Sequence, residues 1–268
     1  MPWPKREGVK ISFNPTQLLY PSAPKKGGSS KAAIIAVIFG LLTILFGAYI
    51  LYINNYSEAD RVAIDALHDS SAVEIAVDNQ MITFKPRDTA IKAGVIFYPG
   101  GKVEDRAYAP LAQLLAEEGY MTVIYRMPSN LAVLKPNAAG KVIEKYPEVD
   151  RWYLGGHSLG GAMASSYASK NPEKLLGYFA LAAYPSSDLS KTSLKMLSIY
   201  GSEDGVLNKD SFEKYRTNAP ADAKYVEIVG GNHAYFGNYG EQKGDGQATI
   251  TSEEQQRRTV ELLSEFMK

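Results

Sequence analysis

The sequence predicts an α/β domain built on a mainly parallel sheet with helices on both faces, preceded by one membrane-length helix. Three observations carry this reading. From about residue 73 onward, short apolar runs alternate with helical patterns, the signature of strands buried on both faces by crossover helices. One such run, Trp152 to Gly155, leads through Gly156-His157-Ser158-Leu159-Gly160 into the small-residue opening of a helix, Ala162-Met163-Ala164-Ser165-Ser166. Upstream, residues 32–53 contain no charge and no proline, about 33 Å of helix and enough to cross a bilayer core.

Residues 1–31 are rich in Pro, Gly, Ser and Lys and read as a flexible cytoplasmic tail. Before the apolar run stand Lys5, Arg6, Lys10, Lys25, Lys26 and Lys31 against Glu7. After it come Glu58, Asp60, Asp65 and Asp69 against Arg61. The positive-inside rule then keeps the N-terminus in the cytoplasm and exports the rest, as a single-pass membrane protein. A signal peptide would have a shorter apolar core and a small-residue cleavage site. Here the run ends in Tyr52-Ile53-Asn54-Asn55-Tyr56, and Tyr49, Tyr52 and Tyr56 form the aromatic belt of the far interface.

Residues 54–72 form a connector with a short amphipathic pattern at Val62, Ile64 and Leu67. Residues 73–268 are long enough for one well-buried domain. Val73 to Val77 and Met81 to Phe84 predict a hairpin around Asp78-Asn79, followed by a strand at Gly94 to Tyr98. A helix over Ala107 to Glu118 stops at Gly119. Met121 to Tyr125 is a buried strand, Ala138 to Tyr146 a helix, and Trp152 to Gly155 the strand before the serine. Strands follow at Leu176 to Ala183, Lys195 to Tyr200 and Lys224 to Val229, with a short helix at Phe212 to Tyr215. Glu253 to Met267 closes the chain as an amphipathic helix.

Composition narrows the chemistry. There is no cysteine, which removes thiol catalysis, thiolate metal sites and disulfides. Twenty-nine basic residues balance 29 acidic ones, so no overall field recommends nucleic acid as a partner. The three histidines have no metal-ligand spacing and no phosphate loop is present, so neither metal nor organic cofactor is expected. No obligate protein partner is indicated.

The strand, Gly-x-Ser-x-Gly and helix order puts Ser158 on a sharp turn, with its hydroxyl above the sheet and the free N–H groups of the next helix beneath it. Such a serine needs a base. His157 points away from its neighbour, and His68 precedes the sheet and reads as a surface residue. His233 remains, in Gly230-Gly231-Asn232-His233, directly after the last strand. A carboxylate should orient it, and Asp204, in Gly201-Ser202-Glu203-Asp204-Gly205, follows the penultimate strand. Adjacent Glu203 is an alternative, whereas Asp188 reads as a turn residue. Developing negative charge on a substrate oxygen would meet the N–H of Leu159 and a second donor, Gly101 or Lys102, in Tyr98-Pro99-Gly100-Gly101-Lys102.

With Gly-His-Ser-Leu-Gly-Gly, Gly-Ser-Glu-Asp-Gly and Gly-Gly-Asn-His in this order, residues 73–268 resemble the α/β-hydrolase superfamily. The likeness is to compact bacterial members related to dienelactone hydrolases and small esterases. Dienelactone hydrolases carry a cysteine nucleophile, which this chain lacks, so the resemblance implies a serine esterase or lipase-like reaction on an acyl ester. Only Tyr184 to Ser193 separates two strands between which many members insert a cap, so an open site is expected. Tyr235 to Thr251 is either a lining of that site or an exposed loop stiffened by aromatic packing. Two other readings use the same residues: an acyltransferase acting on a cell-envelope acceptor, and a catalytically inactive binding protein.

Overall fold

The computed structural model describes Met1, Gly8 and residues 31–268. The expected basic tail lies outside these residues, apart from its ends. Two compact units result, Met1–Tyr49 and Ile50–Lys268. Helix α1 (Lys31–Asn54) buries none of its residues and is long and apolar enough to cross a membrane.

The second unit is an eight-stranded sheet. Its strands are β1 (Val73–Val77), β2 (Met81–Pro86), β3 (Ala93–Tyr98), β4 (Tyr120–Tyr125), β5 (Trp152–His157), β6 (Gly177–Leu181), β7 (Lys195–Gly201) and β8 (Lys224–Ile228). The order is β1-β2-β4-β3-β5-β6-β7-β8, with only β2 running against its neighbours. The hairpin turn is set by Asp78, whose carboxylate accepts the N–H groups of Gln80 and Met81.

Helices α3 (Ala109–Glu117) and α7 (Ser252–Phe266) cover one face of the sheet, α4 (Ala138–Lys145) and α5 (Leu159–Ala168) the other, and the short α6 (Lys209–Tyr215) lies between β7 and β8 in the chain. Alternation along β3 divides the core accordingly: Val95 and Phe97 join the cluster with Leu111, Leu115 and Leu263. Ile96 and Tyr98 join that with Val142, Trp152 and Ala164. Both clusters are fully buried, the arrangement expected of parallel strands.

Three expectations are corrected. The helix predicted from Ala107 begins with a tight turn, Asp105–Tyr108, and becomes α-helical only at Ala109. Pro110 in its first turn has no N–H to donate and a backbone preset for helix entry. Strand β6 is shorter than predicted because Ala182 takes a positive φ of 47° and turns the chain out of the sheet. In the connector, helix α2 (Arg61–Asp65) buries Ala63 completely, while Val62 is 59% exposed. Asp60 caps α2 by accepting the Ala63 N–H at 3.0 Å.

The turn between β5 and α5 depends on absent side chains. A Cβ at Gly160 would lie 2.1 Å from the Tyr98 carbonyl oxygen and 2.3 Å from that of Pro99, and one at Gly156 would lie 2.2 Å from Tyr98 O. Backbone meets backbone there and cannot yield. Gly160→Ala is expected to cost about 3 kcal/mol or more, lowering the melting temperature by roughly 6–12 °C in calorimetry.

Candidate active site

The turn holds Ser158 at φ 51° and ψ −123°, a strained conformation for a residue with a side chain. Its N–H donates to Leu181 O at 2.9 Å and its carbonyl accepts the Ala162 N–H at 3.1 Å, so the strain is fixed from both sides. The hydroxyl opens into a cleft of about 240 Å³ at the carboxyl ends of the strands. His233 lines the same cleft, with Leu159, Ala162, Val206 and Leu207 as apolar wall.

Asp204 and His233, both buried, are brought together from the ends of β7 and β8. Asp204 Oδ2 lies 2.9 Å and Oδ1 3.1 Å from His233 Nδ1. Oδ1 also accepts the N–H groups of Val206 at 2.9 Å and Leu207 at 2.7 Å. A carboxylate only accepts, so the imidazole proton belongs on Nδ1 and Nε2 keeps its lone pair. Nε2 is buried and has no partner among the described residues. No Ser158–His233 hydrogen bond is present; bonds of this kind commonly tighten only with substrate bound.

Glu203 is exposed and its carboxylate accepts the Ser202 hydroxyl at 2.9 Å, away from His233. Asp188 is exposed and caps Ser190. His68, also exposed, lies before the sheet.

Of the N–H groups after β3, Gly100's donates to the Tyr108 hydroxyl at 3.0 Å and Lys102's to Asn130 O at 2.8 Å. Lys102 is therefore corrected as a donor: its N–H is already committed. Gly101 remains, with backbone so close to Leu159 that a Cβ would fall 2.8 Å from Leu159 Cδ2. The Leu159 and Gly101 N–H groups donate to no other group among the described residues.

Sequence reasoning missed several residues around this centre. His157 is buried, with its Nδ1 2.8 Å from the Tyr108 hydroxyl and its ring centroid 4.6 Å from that of His233. Since Tyr108 also accepts from Gly100, the pair ties the loop after β3 to the serine turn. Asp245 joins the other loops: its carboxylate accepts the N–H groups of Gly205 at 3.1 Å, His233 at 3.2 Å and Ala234 at 2.8 Å. Gln255, on α7, accepts the Asn232 N–H and donates to its carbonyl. Of the two expectations for Tyr235 to Thr251, the structure shows the loop stiffened by aromatic packing, with Phe236 and Tyr239 buried against His157, and Asp245 makes it a brace for the histidine as well. Asp245 between Gly244 and Gly246 was the available signal.

Burial, reinforced by the neighbouring His233, holds the His157 imidazole well below the usual histidine pKa of 6.5. As pH falls below about 6.5 the unfolded chain takes up a proton that the folded domain refuses. This site's stability is therefore full above that value and is lost toward acid, by up to about 1.4 kcal/mol per pH unit. His157→Gln should flatten the fall in melting temperature between pH 7 and 5; an unchanged slope would mean that His157 titrates normally.

Among the described residues no three His, Cys, Asp or Glu side chains are grouped to hold a metal. A family model described as "Alpha/beta hydrolase family" matches residues 94–257. No curated protein matches the chain. Among solved structures, a predicted CIB-like hydrolase from Thermoplasma acidophilum is similar at 18% identity and a TM-score of 0.52, over 72% of this chain and 97% of that one. At such identity the likeness speaks for the fold.

Proposed function

The chain belongs to the alpha/beta hydrolase family, and from that premise we propose a membrane-anchored serine hydrolase that cleaves carboxylic esters outside the cytoplasmic membrane. The observation that carries this is the buried Asp204–His233 pair, whose unpartnered Nε2 shares a cleft with a strained, half-exposed serine.

His233 Nε2 takes the hydroxyl proton as Ser158 Oγ bonds to the ester carbonyl carbon, and the oxygen becomes an anion received by the Leu159 and Gly101 N–H groups. The C–O bond to the alcohol then breaks, and the alcohol leaves with the proton from His233. Water adds to the acyl-serine by the same route, releasing the carboxylic acid and restoring the hydroxyl. Asp204 holds the imidazole and stabilises its transient charge.

The apolar walls suit an acyl group, and residues 182–194 between β6 and β7 leave no room for a cap. Anchoring is supported by the exposed apolar α1 and by its sequel. The apolar run is longer than a signal-peptide core and ends in Tyr52-Ile53-Asn54-Asn55-Tyr56 rather than in small residues. A chain-length series of p-nitrophenyl esters tests the reading: turnover that is measurable across the series and abolished in Ser158→Ala is expected. No turnover of any ester would contradict it.

A further inference from the structure

The segment leaving α1 is stitched to the oxyanion loop. Ser57 N–H donates to Lys102 O at 2.8 Å and Glu104 N–H to Ser57 O at 2.9 Å, a short parallel bridge. The Ala59 N–H donates to Glu104 Oε2 at 2.8 Å, and the Asp60 N–H to Asn238 O at 2.9 Å, in the brace behind His233. Buried Ala63 then fastens α2 to the core.

Only Asn55 and Tyr56 lie between the end of α1 and this bridge. Three Cα steps reach at most about 11 Å, and the polar zone of a bilayer is roughly 5–7 Å deep on each side. An anchor ending at Asn54 therefore leaves residues 102–104 no more than a few ångströms beyond the headgroups.

The oxyanion loop also stands between two clefts of different character. Gly101 abuts Leu159 in the apolar wall beside Ser158. Lys102 is bonded to Asn130, which with Tyr56, Glu104, Asp105, Arg126 and Lys135 lines a polar cleft of about 450 Å³. One side suits an acyl chain, the other a polar group carrying hydroxyl or charge.

We propose that this stitch fixes the catalytic cleft at the headgroup level, and that the substrate is an amphiphilic ester lodged in the bilayer, polar end toward the Tyr56 cleft. The proposal rests on the anchored-hydrolase reading above. Because the cleft is open, only the part of the acyl chain next to the carbonyl need enter it.

The test uses the full chain in vesicles of phosphatidylethanolamine and phosphatidylglycerol, with 4-methylumbelliferyl oleate in the bilayer and p-nitrophenyl acetate in water. An insertion of eight Gly/Ser residues between Asn54 and Asn55 leaves the stitch intact but frees the domain to drift from the surface. It should lower kcat/KM for the bilayer ester about tenfold or more, by loss of effective concentration, and leave the soluble ester within about twofold. Equal effects on both esters, no effect on either, or a parent enzyme that cleaves only the soluble ester would overturn the proposal. A parent that cleaves neither would strike at the hydrolase reading itself and carry this proposal down with it.

Discussion

Ser158→Ala is expected to reduce turnover of p-nitrophenyl butyrate by roughly four to six orders of magnitude while moving the melting temperature by less than about 2 °C. The loss follows from the chemistry: Ser158 carries the one aliphatic hydroxyl among the residues lining the cleft that His233 shares, and alanine leaves the proposed base nothing to activate. The stability is kept because the half-exposed hydroxyl is not part of the packed core, and the strained turn is held by backbone bonds that alanine retains. A kcat that fell less than tenfold would move the nucleophile elsewhere.

Asp204→Asn is expected to lower kcat by about four orders of magnitude, and the geometry says why. Oδ1 accepts two backbone N–H groups, from Val206 and Leu207, so the asparagine must keep its carbonyl oxygen there. Its NH₂ then occupies the Oδ2 position, 2.9 Å from His233 Nδ1. Two donors cannot face each other, so the imidazole proton is forced onto Nε2 and the base toward Ser158 is lost. Raising the pH should recover little, since the fault is the tautomer rather than the charge. Glu203→Gln serves as the control and should keep nearly full activity, because that carboxylate is turned toward Ser202. If instead Glu203→Gln were the damaging change, the orienting role would pass to Glu203.

The sheet and the placing of Ser158, Asp204 and His233 were legible because each depends on local signals. Apolar runs mark strands, and glycine-rich turns directly after them mark strand ends, where the three residues lie. What was not legible depends on distant partners. Nothing local tells that Lys102 N–H is taken by the carbonyl of Asn130, or that Tyr108 bonds His157, 49 residues away. Asp245 was hidden similarly, since a polar Gly-Asp-Gly in a loop reads as a turn until the acid and histidine loops are seen folded against it. The connector misled through period: a five-residue helix is too short for its pattern to show which side faces inward, and small Ala63 went in where Val62 was expected.

The central claim is that Ser158 is a nucleophile activated by His233. The most direct measurement is mass spectrometry of the full chain after reaction with a fluorophosphonate, with peptide mapping of the adduct. One phosphonyl group per chain, carried by Ser158 and strongly reduced in a His233→Ala variant, is the predicted result. No adduct, or one on a different serine, would contradict the account.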